Sequence, residues 1–247
     1  MINIKTSAEI AIMREGGLIL AKILDQLASA AKPGLTTLDL DKLALELIST
    51  HNANPSFLGY DGFPASICTS INEEIVHGVP SGRRLKPGDL LKIDLGIIYK
   101  GFHTDSATSL VVGGNDSTKQ RLIDVANQSL DIGISKARIG NTLGDIGHAI
   151  QTYVEGKGYN VIRDLVGHGI GKSLHEEPQV LNYGKAGTGA KLVMGMTLAI
   201  EPMVVAGKWP IKEQGLAFVT KDGSLAAHSE HTVAITDNEP LTLTSLK

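Results

Sequence analysis

Apolar residues recur at helical spacing near the start of the chain. Ile10, Met13, Leu18, Ala21 and Leu24 form one stripe and predict a helix running to Ala31. Thr6 followed by Glu9 makes a capping-box start, and Lys32-Pro33-Gly34 stops the helix. A second helix, LDLDKLALELIST, is expected from a cap at Thr37 to about Thr50. The next stretch is rich in Gly, Pro and aromatics and holds one short expected strand, Ser66 to Ser70. Ser117 is expected to cap a third helix to about Ala137, and a fourth covers Thr142 to Lys157. The segment after it reads as strand-like to Val166 and then as a glycine-punctuated loop around His168. MGMTLAIEPMVVAG, GLAFVT and SLAAHSEHTVAIT each read as one strand.

Between the two helical regions lies Leu90 to Val112, LLKIDLGIIYKGFHTDSATSLVV. It predicts two strands joined by a tight turn at Tyr99-Lys100-Gly101-Phe102, where Gly101 supplies a positive φ. A two-residue turn puts Asp94 and Asp105 on the same face, directly opposite or one diagonal step apart. Like charges on facing strands repel, and desolvating them is costly. An exposed sheet face would tolerate the pair. A buried one needs positive charge between them, and a divalent metal supplies it.

The 247 residues suffice for a sizeable core. A net charge of −3 gives no basic surface for nucleic acid or anionic membrane. One cysteine, Cys68, excludes an intrachain disulfide framework and a Cys-rich zinc site. The N-terminus lacks the basic and apolar regions of a signal peptide, and no apolar run is long enough for a membrane span. The expectation is a soluble, cytoplasmic, enzyme-sized domain.

Three further ionisable residues stand out. Glu201 interrupts an apolar strand, with Pro202 behind it favouring an edge or bulge that re-aims a side chain. Glu230 precedes the strand-like HTVAIT, and His168 lies between two glycines. Each has a plain structural reading as an edge carboxylate, a strand-end charge or a turn histidine. With Asp94 and Asp105 they make four carboxylates and one imidazole, whose charge two divalent cations neutralise. Oxygen ligands with one nitrogen suit manganese, iron(II), cobalt or zinc. Two such metals share and activate a water, which is hydrolase chemistry. The sequence has no Gly-x-Ser-x-Gly elbow, HExxH helix or P-loop. His77 and His175 are not needed to balance charge. A neutral imidazole beside the metals would hydrogen-bond a scissile amide or shuttle a proton.

The segments KTSAEIAIMREGG, SINEEIVHGVP, IDLGIIYKGFHTDSATS, GHGIGKSLHEEPQV, GMTLAIEPMV and SEHTVAIT, in this order, resemble the methionine aminopeptidases of the short bacterial type I form, within the pita-bread metallopeptidases. The resemblance implies an α+β pita-bread fold in one domain, residues 1–247, with a curved antiparallel sheet, covering helices and a dinuclear metal site in the concave face. It implies metal ligation by Asp94, Asp105, His168, Glu201 and Glu230. Asp105 and Glu230 would bridge, Asp94 would chelate one metal, and His168 and Glu201 would complete the other. It gives His77 and His175 to substrate contact and stabilisation of the tetrahedral intermediate, beside Glu201 among the catalytic groups. The implied reaction removes the initiator methionine before a small second residue, by attack of a metal-bridging hydroxide. Implied partners are N-terminal peptides and nascent chains, with transient proximity to the ribosome and a monomeric enzyme.

By motif position Tyr60, Phe63 and Cys68 are expected in the wall of the methionine pocket. The chain departs from the family pattern nearby, with Leu174 where Phe is frequent, Gly215-Leu216 in place of Gly-Trp, and Ser229 in place of Tyr. Trp209 falls outside that position. Two alternatives stand beside this reading. One is a proline-directed pita-bread peptidase, against which stand the short N-terminus and the absence of an Arg near Glu230. The other is a non-catalytic pita-bread protein that binds a partner or RNA, against which stand the five ligand residues.

Overall fold

The computed structural model describes residues 2–246. Met1 and Lys247, the ends of the expected single domain, lie outside the described residues. Four α-helices run over α1 (Ser7–Ala30), α2 (Thr37–Thr50), α3 (Ser117–Lys136) and α4 (Leu143–Gly156). The Thr6–Glu9 capping box starts α1. The cap of α2 falls one residue before the expected one. Thr36 takes that place because Asp39 sits three residues on and closes the box. Likewise Asp116, not Ser117, caps α3, its carboxylate accepting from the N–H groups of Thr118 and Lys119. No described helix is long and apolar enough to cross a membrane.

The strands are short and antiparallel. They are β1 (Asn54–Pro55), β2 (Cys68–Ile71), β3 (Glu74–Val76), β4 (Leu90–Tyr99), β5 (Phe102–Val111), β6 (Asn160–Val161), β7 (Gly167–Gly169), β8 (Glu176–Val180), β9 (Thr197–Ile200), β10 (Met203–Val205), β11 (Ile211–Gln214), β12 (Ala217–Thr220), β13 (Ala226–His228), β14 (His231–Ala234) and β15 (Leu241–Thr242). They pair in four ladders: β1 and β2 with β4 and then β5; β13-β10-β6; β11-β12-β3; and β15-β14-β9-β7-β8. The two-residue turn of the central hairpin is present, with Lys100 and Gly101 both at positive φ. Its register pairs Gly96 with Asp105 and Asp94 with Ala107, so the two aspartates stand one diagonal step apart.

Four expectations are corrected. The strand expected over Ser66–Ser70 is β2, shifted to Cys68–Ile71, and β3 follows it unanticipated. His168 lies in β7, not in a loop, because its flanking glycines let that strand run close between β8 and β9. The two longest expected strands are each broken in two, at Glu201-Pro202 and at Ser229-Glu230. Pro202 has no N–H for a ladder. β9 and β14 pair in one sheet and β10 and β13 in another, yet both pairs keep the same register. Carried across the gap, that register sets Glu201 opposite Glu230.

The two halves share a layout. Helices α1 and α2 cover the first hairpin through Leu20, Ile23, Leu27, Leu40, Ile48, Ile93 and Leu95. Helices α3 and α4 cover the second ribbon through Leu122, Leu130, Ile146, Ile150, Leu198, Ile200, Val204 and Val233. A polar seam joins the ribbons. The Glu230 N–H donates to the Ala107 carbonyl at 3.1 Å. Thr232 Oγ1 accepts from the Asp105 N–H at 2.9 Å and donates to the Asp105 carbonyl at 2.8 Å. Ser106 Oγ donates to the Glu230 carbonyl at 2.7 Å. These bonds hold the two acid-bearing ribbons edge to edge.

Candidate metal centre

Each half contributes two carboxylates to the seam. Asp94 and Asp105 come from the unbroken hairpin, and Glu201 and Glu230 from the breaks in the second ribbon, where the chain is free of ladder pairing. Asp94, Asp105 and Glu230 are buried, the last two to 4 % and 2 % residual exposure, and Glu201 is partly buried. His168 reaches the same point from β7. Its Nδ1–H donates to the Gly169 carbonyl at 2.8 Å, which fixes the tautomer and leaves Nε2 bare, 3.6 Å from Glu201 Oε1. Ligand-type atoms of Asp105, His168 and Glu230 all lie within 4.8 Å of one another. Asp94 joins them through a contact between its carboxyl and that of Asp105.

A Cβ on Gly167 would overlap the Ala199 carbonyl oxygen, and one on Gly169 that of Glu177. The close approach of three strands around His168 therefore requires both glycines.

The electrostatics are those of a cation site. Burial raises the pKa of Asp94 well above the ordinary carboxylate range, and the charges of Asp105 and Glu201 add to it. Burial and then the Asp105 charge do the same to Glu201. Glu230 is raised by burial and by all three of its acidic neighbours. Burial lifts Asp105 to about 7. His168 is lowered to about 4, chiefly by burial, so its ring is neutral with a free lone pair at pH 7. Asp94 Oδ1, Asp105 Oδ1 and Glu230 Oε1 are buried with no hydrogen-bond partner. Unpaired buried carboxylate oxygens are costly unless something positive binds them. The donor set of carboxylate oxygens and one imidazole nitrogen fits a divalent cation of the manganese-to-zinc series.

One cavity of about 270 Å³ contains all ten side chains singled out from the sequence. Asp94, Asp105, His168, Glu201 and Glu230 form its floor, and His77, His175, Tyr60, Phe63 and Cys68 also line it. His77 adopts a positive φ of 59° and stacks edge-on against Phe218, so its loop is held strained with the ring towards the cavity. His175 Nδ1 lies 2.8 Å from the Tyr60 hydroxyl, and its ring meets His168 edge-on at 4.4 Å. Burial lowers the pKa of His77 and of His175. Burial and Asp94 push the Cys68 thiol up, so it stays protonated and serves as wall, not nucleophile. Leu174 and Leu216 line the cavity too, Leu216 from the tip of the β11–β12 turn.

Several residues at the site were not anticipated. Asp61 lines the cavity beside Phe57, a residue the sequence leaves open between pocket wall and core. The Asn182 side-chain amide donates to the Glu201 carbonyl at 3.0 Å and holds the broken strand. Lys5 and Glu176 form a buried ion pair at 2.6 Å that anchors the loop carrying His175. His228 is wholly buried behind Glu201 and Glu230. Only His228 carried a sequence signal, being two residues from Glu230 and thus on its face of a strand.

Antiparallel ribbons joined edge to edge, covered by helices and lined with carboxylates and one histidine at the seam, define a metal-dependent hydrolase. The sequence profile of metallopeptidase family M24 matches residues 11–237, and the chain belongs to that family. A protein of Clostridium acetobutylicum named methionine aminopeptidase is 54% identical over 247 residues, covering 99% of both chains. The crystal structure of methionine aminopeptidase from Rickettsia prowazekii superposes with a TM-score of 0.97 at 42% identity, over 99% of this chain and 100% of that one. A prolidase from Pyrococcus horikoshii reaches a TM-score of 0.78 at 22% identity, over 99% of this chain but 64% of its own, and shares the fold alone. The fold is the pita-bread fold.

Proposed function

We propose that this chain is a metal-dependent aminopeptidase that releases N-terminal methionine from peptides and nascent proteins whose second residue is small. The observation that carries the reading is the convergence of five ligand-type side chains on the floor of one mostly apolar cavity, in a chain with full-length likeness to methionine aminopeptidases. Divalent metal use follows from the family. Asp94, Asp105, His168, Glu201 and Glu230 would hold two cations of the manganese, iron(II), cobalt or zinc kind. Bound there, the metals supply an activated water and polarise the scissile carbonyl.

The remaining steps belong to the protein. Phe57, Tyr60, Phe63, Cys68, Leu174 and Leu216 make a wall for an unbranched apolar side chain, with sulfur–aromatic contacts at Tyr60 and Phe63. His175 is held by Tyr60 with its other nitrogen available to the reacting carbonyl. His77, neutral and strained towards the same cavity, is placed to bond the scissile amide and pass a proton to the leaving amine. Glu201 stands between His168 and His228 in the cavity lining. The same reading carries with it a cytoplasmic, monomeric enzyme that works near the ribosome as nascent N-termini emerge.

The proline-directed alternative is set aside, because the relatives of that activity share only the fold at about one fifth identity. A non-catalytic role conflicts with the retention of every ligand residue. Manganese-loaded enzyme is expected to release methionine from Met-Ala-Ser and to leave an Xaa-Pro peptide intact, measured by chromatography of the free amino acid. Cleavage confined to the Xaa-Pro peptide would overturn the assignment.

A further inference from the structure

His228 ends β13 with its ring 1 % exposed and behind the carboxylates, outside the cavity lining. Its backbone is pinned on both sides by one hydroxyl. Ser109 Oγ accepts from the His228 N–H at 3.0 Å and donates to the His228 carbonyl at 2.7 Å. The ring is thereby aimed at the break between β13 and β14. Its Nε2 stands 3.7 Å from Glu201 Oε2 and 3.9 Å from Glu230 Oε2. Neither ring nitrogen has a hydrogen-bond partner, and neither has Glu230 Oε1. A buried imidazole with two unmet nitrogens is a costly feature to keep unless it acts on a neighbour. Ionised carboxylates only accept, so the complementary ring is one whose Nε2 carries the hydrogen.

We propose that His228 is a positioning residue of the metal centre, whose Nε2–H spans the Glu201–Glu230 pair from behind and orients both carboxylates towards the cation. The register explains why one ring serves two acids. Glu201 and Glu230 face each other where both strands break, and no ladder bond fixes either side chain. His228, the last paired residue of β13 before the break, is a rigid point whose ring faces both carboxylates. Outer partners of this kind typically change metal affinity by about 10–100-fold. The inference rests on the metal-centre reading above and adds to it a residue that touches neither substrate nor cation.

The test is calorimetric titration of Mn²⁺ into chelator-stripped full-length protein, for the wild type, His228→Leu and His228→Gln. Leucine removes the donor, whereas glutamine restores an N–H near the same place. Leucine is expected to weaken Mn²⁺ binding about 10–100-fold, and glutamine to stay within about threefold of the wild type. Where circular dichroism shows the leucine variant unfolded, His228→Phe takes its place with the ring shape kept. Wild-type affinity in the apolar variant, or glutamine as weak as leucine, would overturn the proposal. A wild type that binds no Mn²⁺ would refute the metal-centre reading itself, and the proposal with it, which keeps the two failures distinct.

Discussion

Glu201→Ala is expected to lower kcat/KM for methionine release by about a thousandfold or more, roughly 4 kcal/mol of lost transition-state stabilisation. The residue sits where β9 and β10 part, and the shared register sets it directly across from Glu230. His168 Nε2 would lose the acid 3.6 Å away. A simple stability effect is separable from this. Removing one of four mutually repelling buried acids relieves desolvation and like-charge cost, so the metal-free variant is expected to melt higher than the metal-free wild type. Lower activity together with a raised metal-free melting temperature in calorimetry is the signature. Activity within tenfold of the wild type would remove Glu201 from the proposed site.

Metal-free protein is expected to lose stability as pH rises from about 7 to 8, and added Mn²⁺ to abolish the loss. Asp94, Glu201 and Glu230 have folded-state pKa values well above their unfolded ones, and Asp105 rises to about 7. Above pH 5 the unfolded chain has already released those protons while the folded chain still binds them. Fewer protons bound in the unfolded state makes stability fall with rising pH, by about 1.4 kcal/mol per pH unit for each group. Buried His168, His228 and His231, lowered to about 4, 3 and 4, act in the opposite sense. Their contribution is half gained at about pH 6.5, the pKa of an unfolded histidine, and complete by about pH 7.5, so it blunts the fall near pH 6.5 and no longer opposes it at pH 8. Lys92, buried and lowered to about 7, also opposes the trend above that pH, as one group against three. The readout is the melting temperature against pH with chelator and with metal. A flat or rising profile with chelator would contradict the buried-acid account.

The periodic and chemical parts of this architecture were legible in the chain. The hairpin register followed from one two-residue turn, and with it the same-face placement of Asp94 and Asp105. Helix starts came within a residue, missing where Asp39 closes a capping box with Thr36 and where Asp116 itself caps α3. Long-range geometry was hidden. MTLAIEPMVV reads as one apolar run, and only pairing with a distant strand shows that it serves two sheets. The same holds for His168, whose strand exists because β8 and β9 flank it. The ten candidate side chains share one cavity, yet Asp61, Asn182, Lys5 and Glu176 escaped notice because their roles come from contacts across the fold. The family likeness carried the assignment of roles, and geometry supplied the reasons those positions can fill them.

Anomalous diffraction from crystals grown with Mn²⁺ tests the metal centre most directly. Two peaks about 3.5–4 Å apart are predicted, enclosed by Asp94, Asp105, His168, Glu201 and Glu230, with Asp105 and Glu230 touching both. Manganese bound elsewhere, or a cavity floor that stays without an anomalous peak at saturating metal, would contradict the account.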